Sequence, residues 1–263
     1  LKPSDLEIIK GQLREPNGII LNTGPTGSGK TTTLYTFLRH LQTPEMKIIT
    51  VEDPIEYRIA GIQQTQINPN AEYDFANALR SIMRQDPDII LVGEIRDKET
   101  AEIAIQAALT GHLVLSTIHS NSAAGAIPRL LDLGIKTTSI APALNLIIAQ
   151  RLIRKICLNC RKLVPIKPEL KIKIDKFLNN MPEKINKEAF KNYQIYMAIG
   201  CDKCNHLGYH GRLGIFELLI ISDEYEALIA HGAGELDIFK KAVADGMTTL
   251  QDDGILKVLQ GIT

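Results

Sequence analysis

The chain carries no net charge, no long apolar run, no tryptophan and no internal repeat. Thirty basic residues balance thirty acidic ones. That balance argues against nucleic acid as the main ligand, because DNA-binding domains usually show a basic excess. A membrane helix needs about 18–20 apolar residues, whereas the longest candidate here, 141–153, is broken by Asn145 and Gln150. No signal peptide and no low-complexity segment are visible. The first residue is Leu1 rather than Met, so the chain is expected to be a fragment of a longer protein. The 263 residues, 44% of them hydrophobic, suffice for one large domain or a domain plus an appendage.

The most informative stretch is Gly24-Pro25-Thr26-Gly27-Ser28-Gly29-Lys30-Thr31, which fits G-x-x-x-x-G-K-[ST] at every fixed position. Before it, Gly18–Thr23 reads as a short buried strand; after it, Thr31–Leu41 reads as a helix. Glycines in such a loop let the backbone turn tightly and aim its N–H groups at phosphate oxygens. The helix N-terminus adds partial positive charge. This predicts a nucleotide site over Gly24–Thr32, with Lys30 reaching the β- and γ-phosphates of ATP or ADP and the Thr31 hydroxyl ligating Mg²⁺.

The rest of the chain alternates in the same way. Ser4-Asp5-Leu6-Glu7 has the form of a capping box, which predicts a helix over 5–15. Strands are expected over 47–51, 88–92 and 113–117, and helices over 74–85 and 98–110, the latter with Asp97 as N-cap and Gly111 just past its end. Near-continuous apolar strands between helices predict an α/β fold with a mainly parallel central sheet covered on both faces. In such sheets ligands bind outside the carboxyl ends of the strands. The polar residues that follow strands are the phosphate loop, Glu52-Asp53, Glu94, and Thr117 with His119. All are expected at one edge, around one nucleotide.

Glu94 ends Ile89-Ile90-Leu91-Val92-Gly93-Glu94, a strand of Walker B type, and is expected to position Mg²⁺ or orient the attacking water. Glu52 is a candidate general base, and Asp53 either joins it or caps the turn before Pro54. Glu56 is either a further candidate or solvated surface. His119 is expected to approach the γ-phosphate as a sensor. His112 lies seven residues away at the other end of a strand, roughly 20 Å distant at ~3.3 Å per residue, so the two histidines cannot share a metal.

The four cysteines form Cys157-x₂-Cys160 and Cys201-x₂-Cys204, a zinc signature of two knuckles with no cysteine left over. Disulfides are the alternative, disfavoured if the compartment is reducing. The 40-residue separation is long for a zinc ribbon, and its lysine-rich part, 167–192, is expected to be partly helical and exposed.

These residues resemble the type II secretion and type IV pilus assembly ATPases of the GspE/PilB kind over nearly the whole chain. Ile49–Tyr57 looks like that family's Asp box, Asp86–Asp97 like its Walker B segment, and Thr110–Asn121 like its His box; Gln150–Cys157 and Gly208–Glu217 match its C-terminal portion. The resemblance implies a RecA-like P-loop ATPase core over 1–156, a tetracysteine zinc subdomain over 157–205 and a mainly helical region over 206–263. It implies a cytoplasmic homo-hexamer docked peripherally at the inner membrane through a platform protein, with no direct nucleic-acid contact. It also implies arginines supplied by an N-terminal domain that is absent here. Two features depart from the pattern: the long cysteine insert, and Pro128, which predicts a kink or a late helix start within 123–133. Pilus extension, type II secretion and DNA uptake stay open as pathways. A nucleic-acid motor with the same core and a non-hydrolysing, nucleotide-gated assembly module are the readings outside the family.

Overall fold

The computed structural model describes residues 1–71 and 73–263. Its elements are α1 (Pro3–Gln12), β1 (Gly18–Thr23), α2 (Lys30–Leu41), β2 (Ile48–Glu52), β3 (Gln63–Gln66), α3 (Phe75–Met83), β4 (Ile89–Val92), α4 (Lys98–Leu109), β5 (Leu113–Ile118), α5 (Ala126–Asp132) and α6 (Thr137–Ile140). There follow β6 (Leu144–Ile156), β7 (Arg161–Val164), α7 (Pro168–Asn180), β8 (Ile195–Ala198), β9 (Tyr209–Ile220), α8 (Asp223–Ala230), α9 (Glu235–Ala244) and α10 (Leu250–Leu259).

Seven strands make one sheet in the order β3-β2-β4-β5-β1-β6-β9. Neighbours run parallel except β6 and β9, which are antiparallel. Alternate residues of the inner strands enter different cores. Ile19 and Leu21 of β1 pack with α3 to α6, α8 and α9, whereas Ile20 packs with α1 and α2. Both faces are therefore covered, which is why the inner strands read as unbroken apolar runs. Among the described residues no helix is long and apolar enough to cross a membrane.

The helix boundaries follow local chemistry. Asp97 accepts the Thr100 N–H at 2.8 Å to start α4, and Asp74 accepts that of Asn77 at 2.8 Å to start α3. The capping box at Ser4 does not form. Pro3 takes the first helical position, where its fixed φ suits the helix and its missing N–H costs nothing, so α1 begins earlier and ends at Gln12. Pro128 is the third residue of α5, inside the first turn, whose N–H groups lack intrahelical partners anyway; the late start accommodates it.

The apolar run at 141–153 becomes a short 3₁₀ turn and most of β6. Region 206–263 opens with β9, the outermost strand of the main sheet, before its three helices. Between these strands, β7 and β8 form a separate antiparallel ribbon. The lysine-rich insert exposes Lys171, Lys173 and Lys176 but buries Ile174, Leu178 and Phe190 against Leu256 and Leu259 of α10.

Candidate nucleotide site and cysteine cluster

The phosphate loop joins β1 to α2, with Gly29 at φ +89° as the residue that opens the helix. Two of its glycines are demanded by β6. A Cβ on Gly24 would lie 2.5 Å from the Gln150 carbonyl oxygen, and one on Gly29 would lie 2.9 Å from Gln150 Nε2. Gln150 is buried and bonded three ways: Nε2 donates to the Ser28 carbonyl at 2.9 Å, while Oε1 accepts from Asn22 Nδ2 at 3.0 Å and Thr33 Oγ1 at 2.8 Å. The loop is thus fixed from outside as well as by its own turn. Lys30 Nζ donates to the carbonyls of Gly24 at 2.8 Å and Pro25 at 3.2 Å. Burial lowers its pKa, and the charge of Glu94 opposes that shift.

Beside the loop lies a cavity of about 560 Å³. The residues from Thr26 to Thr32 line it, together with Glu52, Glu94, Thr117 and His119 from the carboxyl ends of β2, β4 and β5. Gly24 and Pro25 are not in the lining; their carbonyls hold Lys30 instead. Asp53 and Glu56 also face the cavity. Glu94 meets Arg96 Nη2 at 2.6 Å, and His119 Nε2 lies 3.6 Å from its other oxygen. Glu52 is only 3% exposed and accepts from Tyr35, Thr50 and Gln64. His112 sits at the opposite end of the sheet, where Nδ1 meets the Ala107 carbonyl oxygen at 2.9 Å.

This arrangement suits a nucleoside triphosphate. A lysine and the first N–H groups of α2 face one side of the cavity, and carboxylates face the other. The Thr31 hydroxyl and the Glu94 carboxylate are oxygen donors of the type Mg²⁺ selects.

Sequence reasoning missed Gln150, Tyr35 and the contribution of β6 and β9. Leu152 and Arg212, from those two strands, line the cavity. Arg151 Nη2 donates to the Asn121 carbonyl at 2.8 Å, joining β6 to the segment after His119. For the residues of β6 and β9 the signal was membership of two stretches that resemble family motifs, and Tyr35 had none; no spacing rule ties them to phosphate chemistry.

At the far end of β6 and β9 the four cysteines converge, and all four are free thiols. Their Sγ atoms lie within 4.8 Å of one another. The separations are 3.9 Å for Cys157–Cys201, 3.8 Å for Cys160–Cys204 and 3.7 Å for Cys201–Cys204. Tetrahedral zinc with Zn–S near 2.3 Å requires S–S edges of about 3.8 Å, which these three separations match. Backbone N–H groups point at the sulfurs, Gly200 to Cys160 at 3.4 Å and Gly208 to Cys204 at 3.2 Å. Burial pushes the Cys204 thiol up, but the N–H groups of Cys201 and Gly208 outweigh it and bring the pKa to about 7.

The family model described as "Type II/IV secretion system protein" matches residues 1–263. The chain is 49% identical over 251 residues to the type II secretion system ATPase E of Vibrio cholerae, covering 95% of this chain and 48% of that protein. It is 45% identical over 261 residues to the type IV pilus assembly ATPase PilB of Thermus thermophilus, covering 99% of this chain and 28% of that protein. The chain thus spans about half, or less, of the length of these relatives. Among solved structures it resembles the pilus retraction motor PilT with bound ADP, at 29% identity and a TM-score of 0.60, over 96% of this chain and 64% of that one. The ATPase DotB of Legionella pneumophila shares the fold at 24% identity and a TM-score of 0.68, over 100% of this chain and 62% of that one. With the whole chain matched and two relatives above 40% identity, this chain belongs to the type II/IV secretion system protein family.

Proposed function

We propose that this chain is the ATP-hydrolysing part of a motor that assembles a type IV pilus or a type II secretion pseudopilus. The observation that carries this reading is the meeting of Lys30, Glu52, Glu94 and His119 around one cavity at the carboxyl edge of the sheet. Lys30 and the N–H groups of the loop bind and orient the triphosphate. Glu94 accepts hydrogen bonds from the attacking water, and its proximity to His119 supports the latter as a sensor of the γ-phosphate. The Thr31 hydroxyl and the Glu94 carboxylate would hold Mg²⁺, which would supply charge neutralisation at the phosphates. Cys157, Cys160, Cys201 and Cys204 would hold zinc in a structural role, because four protein thiolates would leave no open position.

In the full-length protein the active form is a homo-hexamer in the cytoplasm, held peripherally at the inner membrane by a platform protein. Arginines from the preceding domain complete each site, and an arginine supplied that way is worth ~10³–10⁵ in rate. The isolated chain therefore binds nucleotide and hydrolyses it weakly. The test is Lys30→Ala: calorimetry with Mg-ADP should show a sharp loss of affinity, and unchanged affinity overturns the reading.

A further inference from the structure

Three donors from three elements converge on the Glu52 carboxylate. The Tyr35 hydroxyl on α2 donates to Oε2. Thr50 Oγ1 on β2 donates to Oε1 at 2.5 Å, and Gln64 Nε2 on β3 donates to the same oxygen at 3.2 Å. Tyr35 is 0% exposed, and its ring packs edge-on against Tyr57 with centroids 4.7 Å apart. A phenylalanine would fill that space equally well, so the hydroxyl needs another explanation than packing. Tyr35 lies on the helix that begins with Lys30 and Thr31, yet it points across to β2 rather than into the loop. It therefore joins the two sides of the cavity.

We infer that Tyr35 is a positioning residue, whose hydroxyl fastens the Glu52 carboxylate to the helix carrying Lys30 and Thr31. This rests on reading the cavity as the ATP site. A carboxylate with its lone pairs committed to fixed donors keeps one orientation relative to the phosphates. With the Tyr35 bond removed, Oε2 loses its anchor and the group samples other rotamers. A misplacement of about 1 Å in a catalytic group can cost ~10²-fold in rate. Tyr35 also lines the cavity, but its hydroxyl bonds Glu52 and not the phosphate loop, so the effect is expected in turnover more than in affinity.

The experiment uses Tyr35→Phe, Glu52→Gln and the double variant in the full-length protein, with kcat, KM for ATP and thermal melting measured for each. Tyr35→Phe should lower kcat about tenfold or more with KM unchanged. In the Glu52→Gln background it should cost little further, because the hydroxyl acts through the carboxylate. Thr50→Val, which removes a second donor without changing volume much, should lower kcat in the same sense. A Tyr35→Phe protein with wild-type kcat, or one losing the same factor in both backgrounds, overturns the inference. If the wild-type protein releases no phosphate, it is the reading of the cavity that fails. The tie is then judged by melting of the same four proteins, where additive shifts in melting temperature overturn it and non-additive ones support it.

Discussion

Gln150 Nε2 donates to the Ser28 carbonyl across 2.9 Å, so the phosphate loop is held by a strand that enters the sheet more than a hundred residues later in the chain. In Gln150→Leu the volume is nearly kept, but Ser28, Asn22 and Thr33 each lose a partner. Each buried group left unpaired costs about 1–3 kcal/mol. The variant should fold with a melting temperature lower by several degrees and bind ADP roughly tenfold more weakly, given that ~1.4 kcal/mol is a factor of ten. Calorimetry and thermal melting that both match wild type would show that the loop is rigid without it.

Glu94→Gln in the full-length protein should separate binding from chemistry. ATP affinity should hold while steady-state turnover falls by ~10² or more, the range for loss of a group acting on the transferred proton. Near-normal phosphate release would shift the catalytic role to Glu52, to be tested in the same assay.

Metal analysis of protein purified without chelator should find one zinc per chain. Cys204→Ser or chelation should make the 167–192 insert sensitive to protease while leaving ADP binding in place, since the cysteines lie beyond the ends of β6 and β9 and none of them lines the cavity. Protein without zinc, with its cysteines paired as disulfides, would overturn the assignment.

Glu217 on β9 predicts a pH dependence. Its carboxylate is buried, and burial raises its pKa above the ordinary carboxylate value, while the N–H groups of Ala123 at 2.8 Å and Leu250 at 3.3 Å oppose the shift. Between the ordinary value and the raised one, the native state holds more protons than the unfolded chain, so stability falls as pH rises through that interval. Urea midpoints of wild type and Glu217→Gln should diverge in that sense: the wild type loses stability there, and the variant lacks that part of the slope. Parallel pH profiles would show that Glu217 titrates normally.

The phosphate loop and the ends of β2, β4 and β5 were legible because each apolar run stops at a polar residue with an obvious chemical use. The cysteine pairs were legible from spacing alone. The strand Gln63–Gln66 was not: it has no apolar residue, and as the outermost strand it needs only backbone pairing with β2. Nor was β9, whose partner β6 ends at Ile156, because long-range antiparallel pairing leaves no local pattern. The donors to Glu52 and the three bonds of Gln150 are tertiary contacts between ordinary residue types, and no periodicity announces them. At the start of α1 the cap at Ser4 lost to Pro3, a choice between two legitimate local signals.

The neighbouring strands β6 and β9 are separated along the chain by residues 157–208, and the ribbon is already closed at its base by the Cys157 N–H to the Gly208 carbonyl at 3.0 Å. The segment between the cysteine pairs therefore leaves and rejoins the sheet through a fastened neck, with α7 packed on α10. Lengthening it leaves the register of the sheet untouched, and doubling a loop costs only ~0.6 kcal/mol of chain entropy. Residues added at an exposed turn of this segment, away from its contacts with α10, therefore disturb the sheet little. The exposed turn at Lys191 and Asn192 is accordingly a place where a reporter peptide can be grafted without reaching the phosphate loop.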